Sequence, residues 1–212
     1  MSPLPLEERY SAARIHPMTR LSQQLNFILE IDKLKTILRQ TLITSPDCRQ
    51  ENDAEHSWHI ALMASLLAEY APSPVDVLRV TRMLLIHDLV EIDAGDTFAY
   101  DAAANSDKQE RERLAADRLF GLLPADQATE FRALWDEFEA FMTPESRFAN
   151  ALDRLQPLLL NTRTGGGSWR NHHVTPAQVL ARMDLVRIGA PELWSTVVAI
   201  VDDACARGWL PS

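Results

Sequence analysis

The stretch Val77-Leu78-Arg79-Val80-Thr81-Arg82-Met83-Leu84-Leu85-Ile86-His87-Asp88-Leu89-Val90-Glu91 decides how the chain is read. Val77, Val80, Met83, Leu84 and Ile86 recur at three- and four-residue steps, the period of a helix with one buried face. That helix runs straight into His87-Asp88, flanked by Leu84, Leu85, Ile86, Leu89 and Val90. An imidazole and a carboxylate among apolar neighbours are tolerated only when their polar atoms are paired or bound to a metal. The stretch predicts a buried helix end that carries chemistry.

Working outward, the same period recurs on both sides. Leu25, Ile28, Leu29, Ile31, Leu34, Ile37 and Leu38 give residues 21 to about 42 the pattern of a helix with one buried stripe. Thr44-Ser45-Pro46-Asp47 breaks it, and a second helix is expected over residues 54–70, with Ile60, Met63, Ala64 and Leu67 on one face. Downstream, Asp93-Ala94-Gly95-Asp96 reads as a loop and residues 108–120 as a helix ending at Gly121. Residues 126–141 carry Phe131, Leu134, Trp135 and Phe138 at helical spacing, and Thr143-Pro144 opens another helix to about residue 160. Gly165-Gly166-Gly167-Ser168 reads as an open loop. Two last helices are expected over residues 176–188 and 191–207, each opened by proline, the second stopped by Gly208. No run alternates with period two, so the fold class is an all-α bundle. With no linker-like stretch, residues 1–212 read as one domain with its core at about 21–207.

Composition narrows the function classes. The 212 residues carry 30 acidic and 21 basic side chains, a net charge of −9, which argues against gripping a nucleic-acid polymer. Hydrophobic residues at 46% and charged residues at 24% exclude a disordered or collagen-like chain. Apolar runs are too short to span a membrane, and Glu7, Glu8 and Arg9 stand where a signal peptide needs an apolar run. Cys48 and Cys205 form neither a disulfide framework nor a zinc knuckle. A cytoplasmic protein is expected.

Two more residues join His87 and Asp88. His56 lies early in the second helix, and Asp153 stands in an otherwise apolar Ala-Leu-Asp-Arg-Leu segment. Two imidazoles and two carboxylates drawn from facing helices suit one divalent ion such as Mn²⁺, Co²⁺, Fe²⁺ or Zn²⁺. Each also has a structural reading: His56 as a helix-start histidine, Asp153 as a partner of Arg154 or Arg147. Glu91 is one helical turn after His87 and could orient or deprotonate a water; Asp96, after the pliant Gly95, could supply a second proton-transferring carboxylate. The glycine run lacks the strand and the Lys-Ser/Thr of a phosphate-binding loop, although it could cover a pocket with Trp169, Arg170, His172 and His173.

These residues, taken in order, resemble the HD-domain metal-dependent phosphohydrolases, and within them the branch of 5′-deoxynucleotidase-like proteins. The likeness is carried by Ala54-Glu55-His56-Ser57-Trp58, by His87-Asp88-Leu89-Val90-Glu91 through Gly95-Asp96, and by Ala151-Leu152-Asp153. It implies an HD-domain helical bundle with His56, His87, Asp88 and Asp153 as ligands of one divalent metal (Mn, Co, Fe, Zn or Mg). It further implies that Glu91 handles the nucleophilic water, that Asp96 assists proton transfer or holds substrate, and that Arg39 reaches the substrate phosphate. The expected reaction is hydrolysis of the 5′-phosphate of (deoxy)nucleoside monophosphates by a homodimer. At the position after the arginine, where known nucleotidases of this branch have an aromatic residue, this chain has Gln40. A phosphodiesterase or nucleoside-triphosphate hydrolase would share the four ligands. A nucleotide-sensing module without turnover and a purely structural bundle are the non-enzymatic alternatives.

Overall fold

A computed structural model describes residues 19–96, 100 and 107–211; Glu7, Glu8 and Arg9 lie outside them. Thr19 caps α1 (Arg20–Ile31) by accepting a hydrogen bond from the Ser22 amide. A 3-10 segment (Asp32–Thr36) then leads into β1 (Leu38–Leu42), which pairs antiparallel with β2 (Gln50–Asn52). The helix expected as far as residue 42 is therefore corrected: it stops at Ile31. Leu34, Ile37 and Leu38 keep a helix-like spacing, but pairing with β2 supplies the backbone partners, and tertiary context overrides the local period. Nor is the stripe on α1 a buried one. Phe27 and Leu34 are buried, whereas Ile28 is 57% and Leu29 66% exposed, beside an apolar groove shared with Leu85, Leu89 and Phe131.

The remaining elements are helical. α2 (Asp53–Leu67) begins with a capping box, in which the Asn52 side chain accepts from the Glu55 amide and Glu55 accepts from the Asn52 amide. α3 (Val77–Ile86) ends at His87, and the 3-10 turn His87–Val90 joins it to the short α4 (Glu91–Ala94), where a loop was expected. α5 (Lys108–Phe120) and α6 (Ala125–Ala140) follow, the latter ended by Phe141 in the left-handed conformation. α7 (Pro144–Arg163) opens with a Thr143/Ser146 capping box and Pro144 in its first turn. The glycine run expected as a loop gives rise to α8 (Gly167–Asn171), and the segment expected as one helix from residue 176 divides into α9 (Pro176–Arg182) and α10 (Asp184–Gly189). α11 (Trp194–Ala206) completes the bundle.

Buried apolar residues form a continuous core that includes Ile60, Met83, Leu84, Phe148, Leu152 and Val186. α2, α3 and α7 pack against one another at its centre. Trp135 belongs to this core, as its helical spacing implied. Among the described residues no helix is long and apolar enough to cross a membrane.

Candidate metal centre

Three helices deliver the four expected donors to one buried point. The capping box fixes the entry of α2 and leaves His56 in its first turn, fully enclosed. His87 terminates α3 and Asp88 follows in the 3-10 turn; Asp153 lies midway along α7. His56 Nε2 is 3.0 Å from Asp153 Oδ1 and 4.0 Å from Asp88 Oδ2. His87 Nε2 is 3.0 Å from Asp88 Oδ1 and 3.7 Å from Asp153 Oδ1.

Both imidazoles are oriented from behind. His87 Nδ1 donates to the Leu84 carbonyl at 2.9 Å, and His56 Nδ1 to Gln156 Oε1 at 3.1 Å, so each ring turns Nε2 toward the cluster. His87 Nε2 is buried yet makes no well-formed hydrogen bond. Donors about 2.1 Å from one ion lie about 3.0–4.2 Å from each other, which is the spread of these separations. The residues fit a divalent ion, and the mixed nitrogen and oxygen donor set leaves its identity open.

A second layer of charge surrounds the donors. Arg39 comes from β1, not from a helix, and Nη1 reaches Asp88 Oδ2 at 2.7 Å and Asp53 Oδ1 at 3.0 Å. Its Nε is 3.8 Å from Glu51 Oε2. Gln156 Nε2 donates to Glu51 Oε1 at 2.6 Å and lies 3.1 Å from His59 Nδ1. His59 is thus a half-buried partner of Gln156. Glu91 is buried at the start of α4, where oxygens of Asp53, Asp88 and Glu91 lie within 4.8 Å of one another. Asp96 follows Gly95, whose φ of +75° only glycine adopts readily, and lines the adjoining cleft with Arg39. Asp93 is exposed and pairs with Arg118 outside this cluster.

Ionisation follows from this crowding. Burial alone disfavours an imidazolium, but the Asp88 and Asp153 carboxylates outweigh it and raise His87 to about 10. Burial also works against the charge on Asp88, yet His87 and Arg39 hold it well below the usual carboxylate range. Asp153 is depressed in the same way by Arg154, His56 and His87. Glu91 moves in the opposite sense: burial, then the charges of Asp88 and Asp53, raise it well above an ordinary glutamate. Burial and Asp88 likewise lift Asp53 to about 6. One pocket therefore holds carboxylates pushed down beside a glutamate pushed up, the separation that acid–base chemistry uses.

All seven residues singled out in the sequence, His56, His87, Asp88, Asp153, Glu91, Asp96 and Arg39, gather at this centre or its cleft. The contact expected for Asp153 with Arg154 is also present. Trp169 lines the cleft beside the glycine run, while Arg170, His172 and His173 are exposed, and His172 meets Gln40. Sequence reasoning did not find Glu51, Asp53 and Gln156. Asp53 and Glu51 flank the Asn52 cap, where acidic residues ordinarily serve a helix start, and Gln156 is three residues after Asp153 on the same helix face.

The chain is 58% identical to a Magnetospirillum magnetotacticum protein whose crystal structure is described as a predicted metal-dependent phosphohydrolase. The TM-score is 0.87, with 94% of this chain and 100% of that one covered. It is 30% identical over 135 residues to the 5′-deoxynucleotidase HDDC2 of Xenopus laevis and 28% identical over 135 residues to the human protein of that name. Each match takes in 64% of this chain, and 66% and 65% of the two relatives, just under two thirds of their length. The profile of the HD domain matches residues 31–194, from the end of α1 to the start of α11, a span that holds every donor described above. With histidine, His-Asp pair and aspartate brought together inside that span, the chain belongs to the HD-domain family.

Proposed function

We propose that the protein is a metal-dependent phosphohydrolase that removes the 5′-phosphate of (deoxy)nucleoside monophosphates. The observation that carries this reading is a buried, convergent set of two imidazoles and two carboxylates, with both Nε2 atoms turned toward the carboxylates, opening beside a cleft lined by Arg39 and Asp96. His56, His87, Asp88 and Asp153 hold one divalent ion, which supplies Lewis acidity toward phosphoryl oxygens and lowers the pKa of a water. The residues do the rest. Glu91, held protonated more readily than an ordinary glutamate, takes up and returns a proton. Asp96, also raised by burial, faces the leaving oxygen from the cleft. Arg39 carries positive charge to the same place and offsets the phosphate.

Several wider features belong to the same proposal. The chain works as one domain, and two copies pair through the apolar groove beside α1, supported by exposed Leu21, Leu25 and Ile28. The net charge of −9 supports a small phosphorylated substrate over a nucleic-acid polymer or a membrane surface. Unpaired Cys48 and Cys205 support the cytoplasm.

The experiment is phosphate release from a panel of 5′-deoxynucleoside and ribonucleoside monophosphates with Mn²⁺, Co²⁺, Mg²⁺ or Zn²⁺. Release that disappears with EDTA and with Asp88→Ala is the expected result. No release from any monophosphate, with metal bound, would redirect the assignment to a diester, a triphosphate or a sensing role.

A further inference from the structure

Beside the metal centre lies a small cleft of about 60 Å³ whose wall includes three guanidinium groups, Arg39, Arg154 and Arg182. Two of them are already paired: Arg39 with Asp88 and Asp53, Arg154 with Asp153. Arg182 is not. Its guanidinium carbon lies 5.8 Å from the ring centroid of Tyr100. It is half-buried, and burial first, then the neighbouring charge of Arg154, pulls it down to about 10. A basic residue in the last turn of α9 has an ordinary use, interaction with the helix C-terminus. That use is met in solvent. It does not account for a side chain turned into a cleft beside a second cation, which costs free energy until an anion arrives.

We propose that Arg182, aided by Arg154, is a second phosphate-recognition residue of this cleft beside Arg39, clasping the substrate's phosphoryl group against the His/Asp cluster. The inference rests on the phosphohydrolase reading and deepens it. The planar guanidinium can present two N–H donors to two phosphoryl oxygens, a match that Lys makes less well. Arg39 is held in place by Asp88 and Asp53, whereas Arg182 keeps its donors for an incoming anion. A phosphomonoester dianion neutralises this cationic wall more fully than a diester monoanion, which favours monoesters as the substrate class. Tyr100 and Trp169 line the same cleft.

The test compares wild type, Arg182→Gln and Arg182→Lys, each loaded with metal, by calorimetric titration of orthophosphate and by steady-state kinetics on a 5′-deoxynucleoside monophosphate. The expected result for Arg182→Gln is at least about tenfold weaker orthophosphate binding and a similarly raised KM, with metal content unchanged. Arg182→Lys recovers part of the loss and serves as the folded control should the glutamine variant be unstable. Orthophosphate binding equal to wild type in a metal-loaded Arg182 variant overturns the inference, as does a wild type that binds no orthophosphate. Arg182-dependent binding without hydrolysis of any monophosphate upholds the inference and removes the proposed activity. Hydrolysis with binding indifferent to Arg182 does the reverse.

Discussion

His56 Nε2 and Asp153 Oδ1 meet at 3.0 Å although 97 residues separate them in the chain. Gln156, one turn further along α7, accepts from the other ring nitrogen and so turns Nε2 toward Asp153. Gln156→Leu is therefore expected to weaken metal affinity about 10- to 100-fold, the usual effect of losing the group behind a ligand. Competition with a chromophoric chelator measures it. Wild-type affinity in that variant would mean that packing alone orients His56.

Burial, then the charges of Asp88 and Asp53, raise Glu91 well above an ordinary glutamate. Glu91→Gln preserves shape and removes proton exchange, so kcat is expected to fall about 10²- to 10⁴-fold while metal content stays at the wild-type value. Metal analysis beside steady-state kinetics separates the two. Loss of metal together with activity would make Glu91 a ligand.

His87 is raised to about 10 without metal, so at neutral pH its imidazole is protonated and must lose that proton to become a donor. Metal affinity is accordingly expected to rise with pH up to about 10, by about tenfold per pH unit for each proton released. Calorimetry in buffers of different ionisation enthalpy counts the protons. An affinity flat between pH 6 and 8 would contradict the assignment.

Gly189 closes α10 against α7: a Cβ there would lie 2.0 Å from the Arg147 carbonyl oxygen and 3.0 Å from the Ala151 Cβ. Backbone cannot yield as a flexible side chain can. Gly189→Ala is expected to cost about 3 kcal/mol, lowering the melting temperature by about 6–12 °C. An unchanged melting curve would show that α10 can move away from α7 at little cost.

Periodicity made much of the fold legible, because residues such as Val80, Met83 and Leu84 face a core wherever they recur at helical steps. It misled at Leu34, Ile37 and Leu38, where the same spacing runs through a 3-10 turn and a strand. Pairing with residues 50–52 decides that conformation, and no local pattern announces it. The donors were legible because buried His and Asp are costly without partners. Asp53, Glu51 and Arg182 were not, since each has an ordinary surface explanation in sequence and acquires its role only when distant elements close around it.

The donors come from α2, from the end of α3 and from the middle of α7, helices that meet at the centre of the core. An ion bound there is a rivet as well as a reagent. Because the unfolded chain cannot gather these four groups, every bound ion adds to folding stability, by about 2.7 kcal/mol when free metal stands at a hundredfold excess over Kd. Survival of the protein against unfolding and proteolysis is then coupled to metal supply, and starvation for the ion would thin out the protein itself.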